Sequence, residues 1–327
     1  MQHGIVETYQ RRPSATHYMA RAILPSPGLR EGGTLPRIKV RWKTIHIDRH
    51  HLRSFIEMTG LSCVRGLSLL HAPETPAASL LYPHVFGFPL QMALLTHRAF
   101  PLPAWRALQT RNHMLLHRHY SEFEVLNLET RVAGQRILAK GLEVDLHSTL
   151  RALGEPVWEG LVTYYFRGKY GSEQEASALA RPSKADWPVL CNWRVPRVTG
   201  WRFAGLTGDY NGIHWLNWYA RLHDFKAALH HPQLVIGQCL ARLSNNASSG
   251  QRMDIWLKGP VYYDTVVQMQ ASAAADDRWF ALSMKGKIFP SIVGRWSAAE
   301  PGSRLVDDRD IPLPLGTDAD AAHATCK

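Results

Sequence analysis

Two stretches of the chain repeat one order of apolar and polar positions. Each begins with a short helical pattern that ends at a glycine, Phe55–Gly60 in the first stretch and Phe203–Gly208 in the second. Glycine is a frequent residue at helix C-termini. An apolar run that contains one glycine follows in each stretch, at Val85–Leu95 and at Leu234–Leu243. The pattern predicts a duplicated unit in which a short helix precedes one buried helix.

Strand-like sequence follows each apolar run. The candidate strands are Glu124–Val132 and Gly160–Phe166 in the first stretch, and Asp254–Tyr263, Val266–Ser272 and Trp279–Ile288 in the second. One apolar helix and several antiparallel strands bury their apolar surfaces most simply when the sheet wraps around the helix. We therefore predict an α+β fold that contains this unit twice.

Breaks in the pattern predict the domain boundaries. Residues 168–187 are rich in small and charged residues and lack periodicity, as linkers do. Both ends of the chain are punctuated by Pro, Gly and Asp. The predicted division is an irregular arm (1–34), a first unit (35–168), a linker (169–187), a second unit (188–300) and an irregular tail (301–327).

Composition narrows the class of protein. The 327 residues are 45% hydrophobic, which is typical of a globular chain. The most apolar stretch, Ser79–Leu95, is interrupted by proline, histidine and glycine, and is predicted to be core and not a membrane span. Arg11 and Arg12 precede no apolar segment of the kind found in secretory signals. The four cysteines form no close pairs, which argues against disulfides or a zinc knuckle and favours a reducing cytoplasm: Cys63, Cys191, Cys239 and Cys326.

The formal net charge of +11 leaves two interpretations open. No acidic residue lies between Glu74 and Glu122, whereas four arginines do: Arg98, Arg106, Arg111 and Arg118. Such a stretch can attract a polyanion, namely nucleic acid, the phosphates of coenzyme A or an acidic carrier protein. It can equally be a set of solvated arginines. No nucleic-acid motif accompanies the charge, so a basic nucleic-acid-binding module is supported by charge alone.

The candidate chemistry lies directly after the second repeated glycine. Asp209, Asn211 and His214 occupy one short polar turn, whereas Gly60 of the first stretch is followed by Leu61 and has Gly66 at the place of the histidine. A carboxylate and an imidazole on one face can hold a water molecule and transfer its protons. The difference predicts a duplicated fold with one working site.

These residues resemble the signature of the MaoC-like hydratases, S/T-G-D-x-N-P-I-H with an alanine further on. The chain has Thr207-Gly-Asp-Tyr-Asn-Gly-Ile-His214, followed by Ala220. Leu81–Leu90 and Arg111–His113 also fit the double hot-dog members, and the resemblance covers most of residues 35–300. It implies a double hot-dog fold, in which two antiparallel sheets each wrap around a central helix.

The resemblance also implies an activity, the reversible hydration of trans-2-enoyl thioesters to (R)-3-hydroxyacyl thioesters. Asp209 and His214 match the catalytic pair, and Asn211 matches the residue that shapes the turn. Gly237 is the candidate for the backbone N–H that binds the thioester carbonyl. Two positions differ from the family: Gly212 replaces the proline of the motif, and Ile236-Gly237-Gln238 stands where the family has His-Gly-Met. Neither a cofactor nor a metal is expected.

The expected partner is an acyl thioester of coenzyme A or of an acyl carrier protein, without nucleic acid and without membrane insertion. Two hot-dog units in one chain already form the pair that single-unit relatives build by dimerising, so a monomer or a homodimer is expected. A first unit without catalytic groups leaves room for medium or long acyl chains.

Two alternatives remain open at the level of sequence. One is a hot-dog acyl thioesterase, which commonly uses an acid on the central helix, but Gly237–Leu243 contains none. The other is a catalytically idle acyl-binding protein of the same fold. His113, His117 and His119 resemble a metal-ligand spacing, but no acid or cysteine is close in sequence, and we expect their strand to border the acyl cavity.

Overall fold

The strands of the protein lie in one continuous sheet, and the helices cover one side of it. We describe them from a computed structural model, in which the described residues are 4–61, 76–173, 176–177, 187–197, 199–243, 250–274 and 276–305. The helices are α1 (Ala15–Arg21), α2 (Arg49–Thr59), α3 (Pro76–Phe86), α4 (Phe88–Leu95), α5 (Thr199–Thr207), α6 (Asn217–Leu222) and α7 (Pro232–Leu240), with 3-10 helices at Ala104–Arg106 and Gly212–His214. The strands are β1 (Ile5–Tyr9), β2 (Ile38–Ile45), β3 (Leu108–Leu116), β4 (Leu126–Leu138), β5 (Gly141–Ala152), β6 (Glu155–Arg167), β7 (Val189–Arg194), β8 (Gln251–Leu257), β9 (Val266–Ala271), β10 (Asp277–Met284) and β11 (Ile292–Ala298).

The order across the sheet is β1-β2-β4-β5-β6-β3-β8-β11-β10-β9-β7. The first six strands come from the first half of the chain and the last five from the second half. They meet where β3 pairs antiparallel with β8, for example at His113 opposite Asp254. The two predicted sheets are therefore present, but they are joined edge to edge into one. β1 pairs parallel with β2, and the other pairs are antiparallel.

The apolar stretch of the first half forms α3 and α4, which follow one another almost without a break. A segment from Ala77 to Leu95 is long and apolar enough to cross a membrane by length and composition alone, but 94% of its window is buried inside the protein. The prediction that this stretch is core is confirmed by its burial. Gly87 separates the two helices because a Cβ there would lie 2.6 Å from the carbonyl oxygen of Pro83.

The two short helices before the buried helices have matching ends. Asp48 caps α2 by accepting hydrogen bonds from the backbone N–H groups of His50 and His51. Gly60 ends α2 with φ +76°, and Gly208 follows α5 with φ +81°. This left-handed conformation favours glycine, which has no Cβ to clash. In the second half it turns the chain so that Asp209 comes directly after the helix.

The predicted elements differ from the structure in several places. The arm 1–34 is not irregular, because it contains β1 and α1; five residues are too few for alternation to reveal a strand that is held by its pairing with β2. The strands β5 and β11 lay outside the stretches predicted as strands. The division of the chain at 168–188 stays a prediction, because much of that segment and most of the tail lie outside the described residues, as do Cys63, Gly66 and Cys326.

Candidate active site

A cavity of about 750 Å³ lies between the two halves of the protein. The second half contributes polar residues to its wall, among them Asp209, Asn211 and His214. The first half contributes mainly apolar side chains, among them Met19, Phe88, Met92 and Leu95, together with Tyr164 and Tyr165. One end of the cavity thus carries titratable groups, and the opposite wall suits a hydrocarbon chain.

The polar turn is built from a relay of side-chain caps. The Asp209 N–H donates to Thr207 Oγ1 at 3.0 Å, and the Asn211 N–H donates to Asp209 Oδ1 at 3.2 Å. Asn211 Oδ1 in turn accepts from the Ile213 N–H at 3.2 Å and caps the 3-10 helix that ends at His214. Local caps of this kind compete well with regular structure. Asn211 therefore shapes the turn, as the sequence predicts.

Asp209 and His214 come together at the cavity. His214 Nε2 lies 3.7 Å from Asp209 Oδ2, too far for a direct hydrogen bond. On the other side of its ring, His214 Nδ1 lies 3.1 Å from the carbonyl oxygen of Leu229. A carbonyl only accepts, so Nδ1 carries the proton and a neutral His214 presents an unprotonated Nε2 to the carboxylate.

Burial moves the proton affinities of both groups. Loss of solvent raises the pKa of Asp209 above its ordinary value, partly offset by His214 and by the Asn211 N–H. Loss of solvent also lowers the pKa of His214, partly offset by Asp209. The imidazole is therefore neutral at neutral pH, as a proton acceptor must be. Shifted titrations in a cleft are typical of working sites.

Two further histidines, which sequence analysis did not single out, lie beside the pair. The ring of His231 stacks on that of His214 with centroids 3.8 Å apart and planes at 21°, and its Nδ1 lies 3.8 Å from Asp209 Oδ2. Among the described residues, neither ring nitrogen of His230 or His231 makes a hydrogen bond. Burial lowers the pKa of His230 to about 3 and the pKa of His231 well below its ordinary value. Both rings are therefore neutral.

The donor atoms of Asp209, His214 and His231 all lie within 4.8 Å of one another, a set that can be tested for metal binding. The two imidazoles are nearly parallel, however, and the lone pairs of stacked rings lie in adjacent planes instead of meeting at one point. A tetrahedral ion needs its ligands to converge. The present arrangement fits proton transfer better than metal coordination.

The prediction for Gly237 is wrong. Helix α7 begins at Pro232, so Gly237 lies inside the helix and not at its start. It is absent from the cavity wall, and a Cβ there would lie 2.5 Å from Cγ2 of Thr59 in α2. Gly237 is therefore a packing residue that lets α2 and α7 approach.

Helix α7 begins at the cavity with a proline. Pro232 has no N–H, and the preceding residue, His231, makes no side-chain cap. The next two backbone N–H groups, those of Gln233 and Leu234, precede the first N–H that donates within the helix, and within the described part of the chain they are the free donors of this helix end. The Val235 N–H already donates to the carbonyl of His231. Gln233 itself lines the cavity.

Gly212, where the family motif has proline, is explained by its neighbour. A Cβ at this position would lie 2.8 Å from the Tyr219 ring, which also lines the cavity. Every residue except glycine, proline included, would carry that atom. Tyr219 and Gly212 therefore form a pair, in which the missing side chain makes room for the aromatic ring.

The first half reaches the start of α7 through a chain of buried polar groups. The Tyr164 hydroxyl donates to Gln91 Oε1 at 3.1 Å, and Gln91 Nε2 lies 3.4 Å from His84 Nδ1. His84 Nε2 lies 2.7 Å from Gln233 Nε2, which also donates to Gln109 Oε1 at 2.9 Å. Burial lowers the pKa of His84 to about 4, so the ring is neutral and can accept from Gln233. The first half thus holds the side chain at the beginning of α7.

The histidines of β3 do not serve the site. The strand borders the cavity through Leu108–Thr110, but His113 lies 3.1 Å from Asp254 and His117 lies 2.9 Å from Glu159, and neither lines the cavity. The expectation that this strand borders the acyl cavity is confirmed by Leu108–Thr110, whereas His113 and His117 face acids outside the cavity wall. The acids that partner them come from strands distant in sequence, which no local spacing reveals.

The basic stretch does not form one surface either. Arg111 is buried and paired with Asp145 at 3.0 Å, and Arg118 pairs with Glu124 at 2.8 Å. Arg106 lies over the ring of Trp105, with 4.5 Å from its Cζ to the ring centroid. Only part of the stretch therefore remains for an anionic partner.

Comparisons with known proteins agree on one class, the MaoC-like dehydratases. No protein-family model matches the chain. The 3-hydroxyacyl-thioester dehydratase X of Mycobacterium tuberculosis is 23% identical over 283 residues, which are 86% of this chain and 97% of the relative. The crystal structure of HtdX from that organism aligns with a TM-score of 0.65 at 20% identity, over 80% of this chain and 100% of that one. A MaoC-like dehydratase from Phytophthora capsici aligns at 0.59 and 15% identity, over 82% and 96% of the two chains.

These likenesses confirm the double hot-dog fold and the resemblance to MaoC-like hydratases that the sequence predicts. The relative from Mycobacterium tuberculosis spans nearly the whole chain, so both halves of the present protein have counterparts in it.

Proposed function

We propose that the protein is a hydro-lyase that interconverts trans-2-enoyl thioesters and (R)-3-hydroxyacyl thioesters. The observation that carries the proposal is the pairing of Asp209 and His214 at one end of an otherwise largely apolar cavity. The name of the relative from Mycobacterium tuberculosis, a 3-hydroxyacyl-thioester dehydratase, supports the same reaction.

The catalytic water lies between Asp209 Oδ2 and His214 Nε2. Their 3.7 Å separation suits two groups that share one water molecule and do not bond to each other. The water oxygen adds to C3 of the enoyl thioester, and the proton that it loses passes to the unprotonated His214 Nε2. The His214 imidazolium then gives this proton to C2 from the same side as the double bond is consumed, so the addition is syn and the imidazole is neutral again. Positioned acid–base groups of this kind contribute about 10²–10⁴ in rate.

The thioester carbonyl is bound at the start of α7. Negative charge gathers on its oxygen as water adds to C3, and the positive end of a helix stabilises such charge. Because Pro232 has no N–H, the Gln233 N–H is the first available donor. The bond from the Gln233 side chain to His84 fixes this residue in place.

The acyl tail runs along the wall supplied by the first half. Met19, Phe88, Met92 and Leu95 are apolar, and the cavity volume falls within the roughly 300–1,000 Å³ of typical ligand sites. Medium or long chains are therefore the proposed substrates. Crotonyl thioesters leave this wall unfilled, so turnover of decenoyl thioesters should be the more efficient; the reverse order contradicts the assignment of chain length.

A spectroscopic assay tests the reaction. The protein is given trans-2-enoyl thioesters of graded length, on coenzyme A and on an acyl carrier protein, and the loss of enoyl absorbance and the chirality of the product are measured. We expect the (R)-alcohol, and at least a hundredfold loss of kcat in Asp209→Asn. Substitution of the exposed His50 by Gln is the control. Release of free thiol without hydration would instead identify a thioesterase, which the sequence of α7 disfavours, because it holds no acidic residue.

The proposed setting is the cytoplasm, and the proposed assembly is a monomer or homodimer. Cys191 and Cys239 are free in the described part of the chain, in keeping with a reducing compartment. Edge-to-edge pairing of β3 with β8 already supplies the internal pair of hot-dog units. Localisation of a tagged full-length chain and light scattering of the purified protein test the two proposals.

A further inference from the structure

Exposed apolar side chains gather at the mouth of the cavity. We define the aromatic rim as Trp105, Trp201, Trp215, Trp218 and Tyr219 with the neighbouring Ile23, Leu24 and Leu222. The exposed fractions are 57% for Trp201, 61% for Trp218, 72% for Leu222 and 70% for Ile23. Side chains of this size are seldom left together in water without a partner.

Contacts between the rings show that the rim is continuous with the cavity. The Trp201 ring lies 5.0 Å from that of Trp215, which lines the cavity. On the other side, Trp218 contacts Tyr219 at 5.7 Å, and His223 links Tyr219 to Trp105 at 4.7 and 5.9 Å. Ile23, Trp105 and Tyr219 also line the cavity.

The charged groups of the rim are mostly basic. Arg106 stacks on Trp105, Arg202 follows Trp201, and Arg221 and Lys226 accompany α6; all four are exposed. The acid next to them in the chain, Asp224, lies 3.6 Å from Arg167. An anionic surface therefore meets positive charge here.

We propose that the aromatic rim docks on the headgroup region of an anionic phospholipid membrane. Indole rings are favoured at the boundary between water and lipid, and exposed Leu and Ile side chains gain by entering the acyl layer. Basic side chains add attraction to anionic headgroups. An acidic carrier protein would use the charge but would not account for the exposed aliphatic groups.

Docking has a consequence for the substrate, and this step depends on the proposed function. Thioesters of long acyl chains are amphiphiles whose tails partition into lipid. A rim that surrounds the cavity mouth lets such a tail pass from the membrane to the apolar wall without crossing water. The protein remains at the surface, since Ala77–Leu95, the segment of membrane-spanning length found among the described residues, is buried in the core.

Co-sedimentation of the full chain with vesicles tests the proposal. Vesicles of phosphatidylcholine alone are compared with vesicles of phosphatidylcholine and phosphatidylglycerol in equimolar amounts, each at low and at high salt. The test variant carries Trp218→Ser and Leu222→Ser, neither of which lines the cavity. The matched control carries Phe123→Ser and Leu153→Ser, which are 80% and 91% exposed and lie beyond the end of β3 that is far from the cavity.

We expect the protein to bind the anionic vesicles, with an at least fivefold lower partition coefficient for the rim variant and no change for the control. Absence of binding, or equal binding by the rim variant, overturns the proposal. The proposal is also overturned if the rim substitutions leave vesicle binding unchanged and weaken only self-association, measured on a sizing column, or only the affinity for an acyl carrier protein. Hydration of a soluble trans-2-hexenoyl thioester is measured in parallel, and we expect the rim variant to retain this activity. If the protein binds vesicles but hydrates no thioester, the proposed function is refuted and the docking is not.

Discussion

The buried polar groups that the two halves of the protein bring to the start of α7 differ in their hydrogen bonding. In the first half, the Tyr164 hydroxyl donates to Gln91, and His84 accepts at Nε2 from the side chain of Gln233. In the second half, the rings of His230 and His231 make no hydrogen bond among the described residues.

Buried polar groups normally have partners, because an unsatisfied one is costly. The partnered groups of the first half therefore hold the start of α7 in place. The rings of His230 and His231 leave open hydrogen-bonding positions beside Asp209 and His214, where water and a substrate can bind.

We expect the largest effect on activity from loss of the imidazole that faces Asp209. His214→Gln removes the proton acceptor but keeps a polar side chain of similar reach. We expect kcat for enoyl hydration to fall by about 10³ with little change in the melting temperature. Steady-state kinetics with a medium-chain enoyl thioester measure the effect, and His50→Gln serves as the exposed control. A loss below tenfold contradicts a catalytic role for His214.

The next effect concerns the missing side chain at position 212. Gly212→Pro restores the residue of the family motif, but its Cβ meets the Tyr219 ring. We expect about a tenfold to hundredfold loss of kcat/KM, because a displacement of about 1 Å at a catalytic group can cost about 10². Gly212→Pro combined with Tyr219→Ala should recover most of the loss. If the double variant is no better than the single one, the clash is not the reason for the glycine.

A smaller effect tests whether the first half positions the start of α7. His84→Gln can place a polar atom near the former Nε2 and keep the bond to Gln233, whereas His84→Asn is too short to reach it. We expect nearly normal kcat for His84→Gln and about a tenfold lower kcat for His84→Asn, with KM changed less than kcat, since carbonyl donors act chiefly in the transition state. Equal kcat values in the two variants would falsify the positioning role.

The smallest effect is on stability as a function of pH. Burial depresses the pKa of His84 to about 4, so its contribution is complete above the unfolded pKa near 6.5 and is lost as the pH falls toward 4. Within that window one such group contributes a slope of about 1.4 kcal/mol per pH unit to the free energy of unfolding. His84→Gln should reduce the slope by about that amount in urea titrations at pH 4.5 and 6. An unchanged slope contradicts the buried neutral state of His84.

Sequence alone predicted what is encoded locally. The ordered run from Thr207 to His214 identified the reactive turn, because the caps that shape it join residues two apart. The buried helices were predicted because their apolar runs are continuous. Contacts between distant segments were not predictable in this way: Gln233 meets His84 across 149 positions.

The error at Gly237 has a different cause. Matching Ile236-Gly237-Gln238 to the His-Gly-Met of the family places the helix start near Gly237, but Pro232 is the better signal, since proline favours the first position of a helix. A helix start at Pro232 is flanked by His230 and Gln233, both of which line the cavity. Because Pro232 has no N–H, the first backbone donor of the helix is that of Gln233.

The central claim is that Asp209 and His214 act on the same water molecule. A double-mutant cycle of Asp209→Asn and His214→Gln, read as kcat for hydration of one medium-chain enoyl thioester, measures this directly. If the two groups share one water, the double variant is hardly slower than either single variant, because the second substitution removes a function already lost. If the two losses multiply, the groups act independently and the account of a shared water is contradicted.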